Sequence, residues 1–178
     1  IRIFERHEIT ARHIMASACL PTLFQAVVID RTPYWDGGLM GNPALYPLFY
    51  GPETNDILLV QVNPIRRAGI PKTPQAIQQR LNEITFNATL LREYRAVEFV
   101  ARLVEQCVLP RERYKRINMH RIEPGTTFTG KKAASKMDSG WDSLRQWRDA
   151  GRKAAKLWLA KNHAMIGQES TFDLRAEL

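Results

Sequence analysis

Residues 34 to 43 read Tyr-Trp-Asp-Gly-Gly-Leu-Met-Gly-Asn-Pro. One carboxylate, Asp36, stands beside Gly37 and Gly38, whose missing side chains let other backbone come close. A carboxylate so placed can serve as a general base. It takes the proton of a serine hydroxyl, which is a poor nucleophile at neutral pH, and returns it to a leaving alcohol. Desolvation beside an aromatic residue such as Trp35 would raise its basicity. The scheme requires no histidine. Asp-Gly is also the commonest two-residue hairpin turn, so the tripeptide by itself reads first as a bend, and its context has to carry the rest.

Other groups offer less chemistry. The four histidines, His7, His13, His120 and His163, are scattered with no pair at ligand spacing, and read as surface or packing residues rather than metal ligands. Cys19 and Cys107 lie far apart in apolar surroundings, a pattern of neither a disulfide framework nor a metal site. No cofactor is implied. Ser17, Ser135, Ser139, Ser143 and Ser170 all lack the flanking glycines of a G-x-S-x-G elbow. Gly125 to Lys132 matches the phosphate-cradling pattern G-x-x-x-x-G-K-[ST] except at Lys132, where the magnesium-binding hydroxyl belongs; an ordinary Gly/Thr loop is the expectation.

The elements that must position Asp36 follow from pattern. Thr10 to Ala18 is helix-like, Ser17-Ala18-Cys19-Leu20-Pro21 breaks it, and Leu23 to Ile29 reads as a strand. Asp30-Arg31-Thr32-Pro33 is a turn leading to Asp36. Beyond it, Asn42 can cap a helix with Pro43 in its first position. Ile57 to Val62 is a continuous apolar run, suited to a parallel strand covered on both faces.

Helix, break, hairpin, Asp-Gly-Gly and Asn-Pro in this order resemble the second half of the patatin-like lipid acyl hydrolases, over about residues 9 to 63. The resemblance implies that Asp36 is the aspartate of a Ser/Asp dyad, with Gly37 and Gly38 as motif glycines shaping the backbone and Asn42 holding the next turn. It implies an α/β fold: the C-terminal part of a three-layer α/β/α core over residues 1–63, then a mainly helical extension of unknown role over 64–178, similar to the C-terminal region of a subset of bacterial members. The implied substrate is a lipid acyl ester. The elbow serine and the oxyanion loop occur nowhere in these residues, so they are expected upstream of Ile1, and the chain by itself is not expected to hydrolyse esters.

Past the motif, residues 64 to 72 form a Pro/Gly/Arg connection, and Thr73-Pro74 opens a long helix. Its apolar positions are Ile77, Leu81, Ile84, Ala88, Leu91, Tyr94, Val97, Ala101, Val104 and Val108, and a kink is expected near Thr85 to Thr89. Tyr114 to Ile122 alternates imperfectly and is a candidate strand. A last helix is expected from Trp141 to about Asn162, and no periodicity marks Gly167 to Leu178.

The 178 residues, 44% hydrophobic and 25% charged, have the balance of a soluble globular protein of one domain or a core with an appendage. No apolar run approaches a membrane span and no signal peptide is present, so a cytoplasmic protein, at most peripheral to a membrane, is the simplest expectation. The net charge of +8 divides into +1 over residues 1–110, +9 over 111–161 and −2 over 162–178. The basic segment suits an anionic membrane surface or an acidic protein face, which gives the second reading of function, a noncatalytic docking module. Trp141, Trp147 and Trp158 beside Arg145, Arg152, Lys153 and Lys156 fit a membrane surface, although a tryptophan stripe is more often core. No recognition motif supports nucleic acid as a partner.

Overall fold

The computed structural model describes residues 1–51, 53–123 and 140–178, the side chain of Tyr50 excepted. The phosphate-loop-like Gly125 to Lys132, Ser135 and the Asp138-Ser139 cap lie outside the described residues.

The chain is mixed α/β. It begins with α1 (Ala11–Ser17), where Thr10 and His13 form a reciprocal capping pair, and ends that helix before Pro21 as the sequence requires. β1 (Val27–Ile29) and β2 (Thr32–Tyr34) then form an antiparallel hairpin with Ile29 opposite Thr32. The turn is the two residues Asp30 and Arg31, both with positive φ (47° and 65°), as a two-residue hairpin with right-handed strands requires. The bend is therefore made by Asp30-Arg31 and not by Asp36-Gly37.

The second unit is a β-α-β crossover. β3 (Asp56–Val60) pairs in parallel with β4 (Asn118–Ile122), Leu58 lying opposite His120, and α3 (Pro74–Glu105) connects them. Thr73 caps α3 by accepting a hydrogen bond from the Ala76 N–H, and Pro74 takes the first position. The helix runs on through Thr85 to Thr89 without the expected break. The hydroxyls of Thr85 and Thr89 bond back to the carbonyls of Leu81 and Phe86, which satisfies them inside the helix.

The core lies between α3 and the parallel pair: Leu45, Ile57, Leu90, Tyr94, Val97, Ile117 and Met119, with Phe172 and Leu174 of the tail packed against them. Residue 63 does not divide it, because β3 precedes that point while α3 and β4 follow it. Two expectations of burial change. Leu58 and Val60 are exposed, so β3 is covered on one face only. β4 is the strand covered on both: Met119 faces the core, while His120 lies edge-on to Trp158 of α4 (Trp141–Asn162), ring centroids 6.0 Å apart. That double cover explains the imperfect alternation in the sequence.

The face of α3 also differs from its apolar stripe. Ile77, Leu81 and Ile84 are exposed, and Glu83 and Asn87 are buried in their place. Asn87 donates to the Pro64 carbonyl, Arg80 to that of Ile65, and Glu83 receives both Arg67 and Arg80. Hydrogen bonding to the polar connection 64–72 outweighs hydrophobicity along this half of the helix. The tail, without periodicity, runs beside β4: the Thr171 N–H donates to the Met119 carbonyl and Ser170 Oγ accepts from the Met119 N–H. α5 (Leu174–Glu177) closes the chain, held by a Glu177–Arg121 ion pair of 3.0 Å.

Candidate functional site

Asp36 stands two residues beyond β2. Its N–H donates to the Cys19 carbonyl (2.9 Å), which fastens the hairpin exit to the chain just after α1. Cys19, itself buried, donates through Sγ to the Gln25 carbonyl, so the break after α1 and the approach to β1 are tied together. Asp36 is half-buried. Its Oδ1 accepts a hydrogen bond from the Gly38 N–H at 2.7 Å, and the residue caps a single 3₁₀ turn over Gly37–Leu39. Among the described residues no partner takes Oδ2, the second oxygen. Trp35 is half exposed and gives its indole N–H to the Phe24 carbonyl.

The glycines differ in what they do. A Cβ at Gly38 would lie 3.1 Å from Asp36 Oδ1, so the close approach of carboxylate to backbone depends on that glycine. A Cβ at Gly37 would meet nothing within 4 Å, and the backbone-shaping role expected of it has no steric basis. Gly41 has the strongest requirement, since its Cβ would stand 2.8 Å from the Cβ of Ala44.

Asn42 does not cap a helix at Pro43. The Asn42-Pro43 peptide is cis and lies in a turn, and the helix begins four residues later as α2 (Pro47–Tyr50), with Pro47 in the first position and Tyr46 before it. The reason is a tertiary contact: the Asn42 N–H donates to Thr89 Oγ1 of α3 at 3.0 Å. Glu93, one turn further along α3, accepts from the N–H groups of Leu45 and Tyr46. Burial pushes the Glu93 carboxyl up, and these two bonds only partly offset it. The stretch after Asp36 is thus fixed onto the long helix by main-chain N–H groups.

A cavity of about 100 Å³ lies at the C-terminal end of β3, lined by Asn42, Pro43, Gln61, Asn63, Asn87 and Leu90 among others. It has room for a few waters. It is too small for an acyl chain, and Asp36 is not among its lining residues. None of Ser17, Ser143 and Ser170 is hydrogen-bonded to Asp36, and Ser170 is already engaged with the Met119 N–H.

The sequence reading missed one carboxylate–imidazole pair. His120, fully buried, places Nε2 2.9 Å from Asp56 Oδ1, and the same oxygen accepts from the Gly167 N–H and from Asn118. Burial works to raise the Asp56 carboxyl, but its hydrogen bonds with His120, Gly167, Asn118 and Thr54 outweigh burial and hold it below the ordinary range. His120 Nδ1 is buried with no hydrogen-bond partner among the described residues. With His120 buried between them, the pair ties β3, β4 and the segment after α4 together. His120 and Asp56 are 64 positions apart, and only the parallel register brings them together.

Among the described residues no cluster of three His, Cys, Asp or Glu side chains is arranged to hold a metal ion. No helix among them is long and apolar enough to cross a membrane. A groove of about 520 Å³ at residues 111–116 is lined by Arg111, Arg113, Lys115 and Arg116 with Glu112 and Tyr114, so the basic character read from the sequence reaches a concave surface. The chain matches no family model, and neither the curated proteins nor the solved structures give a match.

Proposed function

We propose that this chain is the aspartate-bearing part of a patatin-like serine ester hydrolase acting on lipid acyl esters, with Asp36 as the general base of a Ser/Asp dyad. The observation that carries the reading is the state of the Asp36 side chain. One oxygen is fixed by the Gly38 N–H at 2.7 Å, which leaves the other to accept a hydroxyl proton from a partner group. A base held in this way keeps its orientation without a histidine between it and the nucleophile.

The nucleophilic serine and the oxyanion donors belong, on this reading, to a segment that carries G-x-S-x-G, a motif missing from these residues. The one-sided cover of β3 supports it. Parallel sheets are normally covered on both faces, whereas Leu58 and Val60 here stand exposed on a sheet that has two strands among the described residues. A three-layer core would be completed by strands and helices laid against that pair. Gly38 and Gly41 keep the backbone around the carboxylate close-packed, and the bond from Asn42 to Thr89 fixes the loop that follows.

The test begins with the reading frame upstream of Ile1. If it encodes an elbow serine after a glycine-rich loop, the polypeptide carrying both parts should hydrolyse p-nitrophenyl acyl esters. Asp36→Asn should then lower kcat by roughly 10²–10⁴-fold, the usual contribution of a positioned general base, with KM little changed. A frame without that elbow, or an Asp36→Asn enzyme of full activity, overturns the assignment.

A further inference from the structure

The outward side of α4 is a cationic stripe with apolar ends. Arg145, Arg148, Arg152 and Lys156 follow one another at intervals of three and four residues, so they share one side of the helix, and all four are exposed. Trp141 (65% exposed) begins the same stripe and Leu159 (44% exposed) ends it. From Trp141 to Leu159 the stripe is about 27 Å long at ~1.5 Å per residue. The opposite side, with Trp147, Ala154 and Trp158, is partly covered by the body of the protein. Two of the three tryptophans are therefore packing residues and one is not. Arg145 lies over the Trp141 ring, 5.2 Å from its centroid, which places charge and aromatic ring together at the start of the stripe. Two carboxylates oppose the cations: Asp149, paired with Arg148 at 2.8 Å, and Asp142 in the first turn.

We propose that this face of α4 docks on an anionic phospholipid surface, its cations on headgroup phosphates and carboxylates and its terminal Trp141 and Leu159 in the headgroup–acyl boundary. Charge complementarity requires an anionic partner. The apolar ends select lipid among anions: a nucleic-acid backbone takes the cations but leaves an indole and a leucine in water, whereas an interface receives both kinds of group at once. The docking rests on α4 alone and is independent of the role given to Asp36.

The experiment is co-sedimentation of the full chain with vesicles of phosphatidylcholine alone and of phosphatidylcholine with phosphatidylserine, at low and at physiological salt. The expected result is binding to the mixed vesicles only, weakened by salt, with a blue shift of tryptophan emission that Trp141→Ala reduces. The triple variant Arg145→Gln, Arg152→Gln, Lys156→Gln should lose affinity on the order of 100-fold, near fivefold for each cation removed from an anionic surface. All three side chains are exposed, and an unchanged circular dichroism melt verifies the fold of the variant. Equal binding to neutral vesicles, unchanged binding of the triple variant, or no binding at low salt overturns the proposal. Tighter binding to a DNA duplex than to the mixed vesicles, lost in the same triple variant, overturns it in favour of a nucleic-acid partner.

Discussion

His120 Nε2 lies 2.9 Å from Asp56 Oδ1, and this contact joins adjacent parallel strands to the turn that follows α4, because Asp56 also accepts the Gly167 N–H. Gly167 holds φ at +81°, so the donor is aimed by a backbone conformation that favours glycine. His120→Ala removes a fully buried ring and one partner of the carboxylate, and should cost about 2–4 kcal/mol in urea unfolding. Asp56→Asn, which keeps the size and one acceptor oxygen, should cost less, about 1–2 kcal/mol.

The same contact fixes the sign of an acid dependence. The folded-state value of Asp56 lies below its ordinary 3.8, and that of Glu177 below its ordinary 4.5, the latter through the hydrogen bond from Arg121 working against burial. A carboxyl lowered by folding contributes stability that is fully present above its unfolded value and is lost as pH falls through its folded value. Glu93 has the opposite sign: its raised folded value weakens the fold as pH rises through the ordinary 4.5 and beyond. Unfolding free energy measured against pH should therefore fall below about pH 4, where Asp56 and Glu177 take up protons in the unfolded chain first. In Asp56→Asn that fall should be shallower. An acid limb identical in slope to the parent's would show that the carboxylate is equally solvated in both states.

The turn after the hairpin makes a separate prediction from its three glycines. Gly37→Ala meets open space and should change stability by less than about 0.5 kcal/mol. Gly38→Ala presses a methyl on Asp36 Oδ1 and should weaken the cap, at about 0.5–2 kcal/mol. Gly41→Ala drives a methyl into the Ala44 side chain and should cost most of the three, about 1–3 kcal/mol. Thermal melts of the three variants give the order directly, and a Gly37 variant as damaging as Gly41→Ala would contradict the geometry.

What the sequence made legible divides along the range of the forces involved. Local signals were sufficient for α1 and its end before Pro21, for the start of α3 at Thr73-Pro74 and for the bounds of α4, because caps and prolines act within a turn. The hairpin was legible too, though its bend proved to be Asp30-Arg31 alone. Long-range pairings were hidden. Nothing near Asn42 announces Thr89, so the cap position moved from Asn42 to Tyr46, and nothing near His120 announces Asp56. At the candidate site the sequence located the Asp36 turn and the close approach at Gly38. It could not supply the groups that would face the second oxygen.

Along α3 the conflict between pattern and packing gives the last prediction. Periodicity assigns Ile77, Leu81 and Ile84 to the core, yet each is about half exposed, while Glu83 is 4% exposed between Arg67 and Arg80. Leu81→Gln should then change stability by less than about 0.5 kcal/mol, since little apolar area leaves contact with protein. Glu83→Gln keeps the shape but strips the charge from two arginines, and breaking a buried ion pair costs about 3–5 kcal/mol when both partners are sealed from water. The arginines here keep about a quarter of their side-chain surface in solvent, at 27% and 26%. Water screens the charges left behind, and about 1–3 kcal/mol is the expected loss. Urea denaturation of the two variants decides between the faces: a Leu81 variant that falls further than the Glu83 variant would turn the helix back onto its hydrophobic stripe.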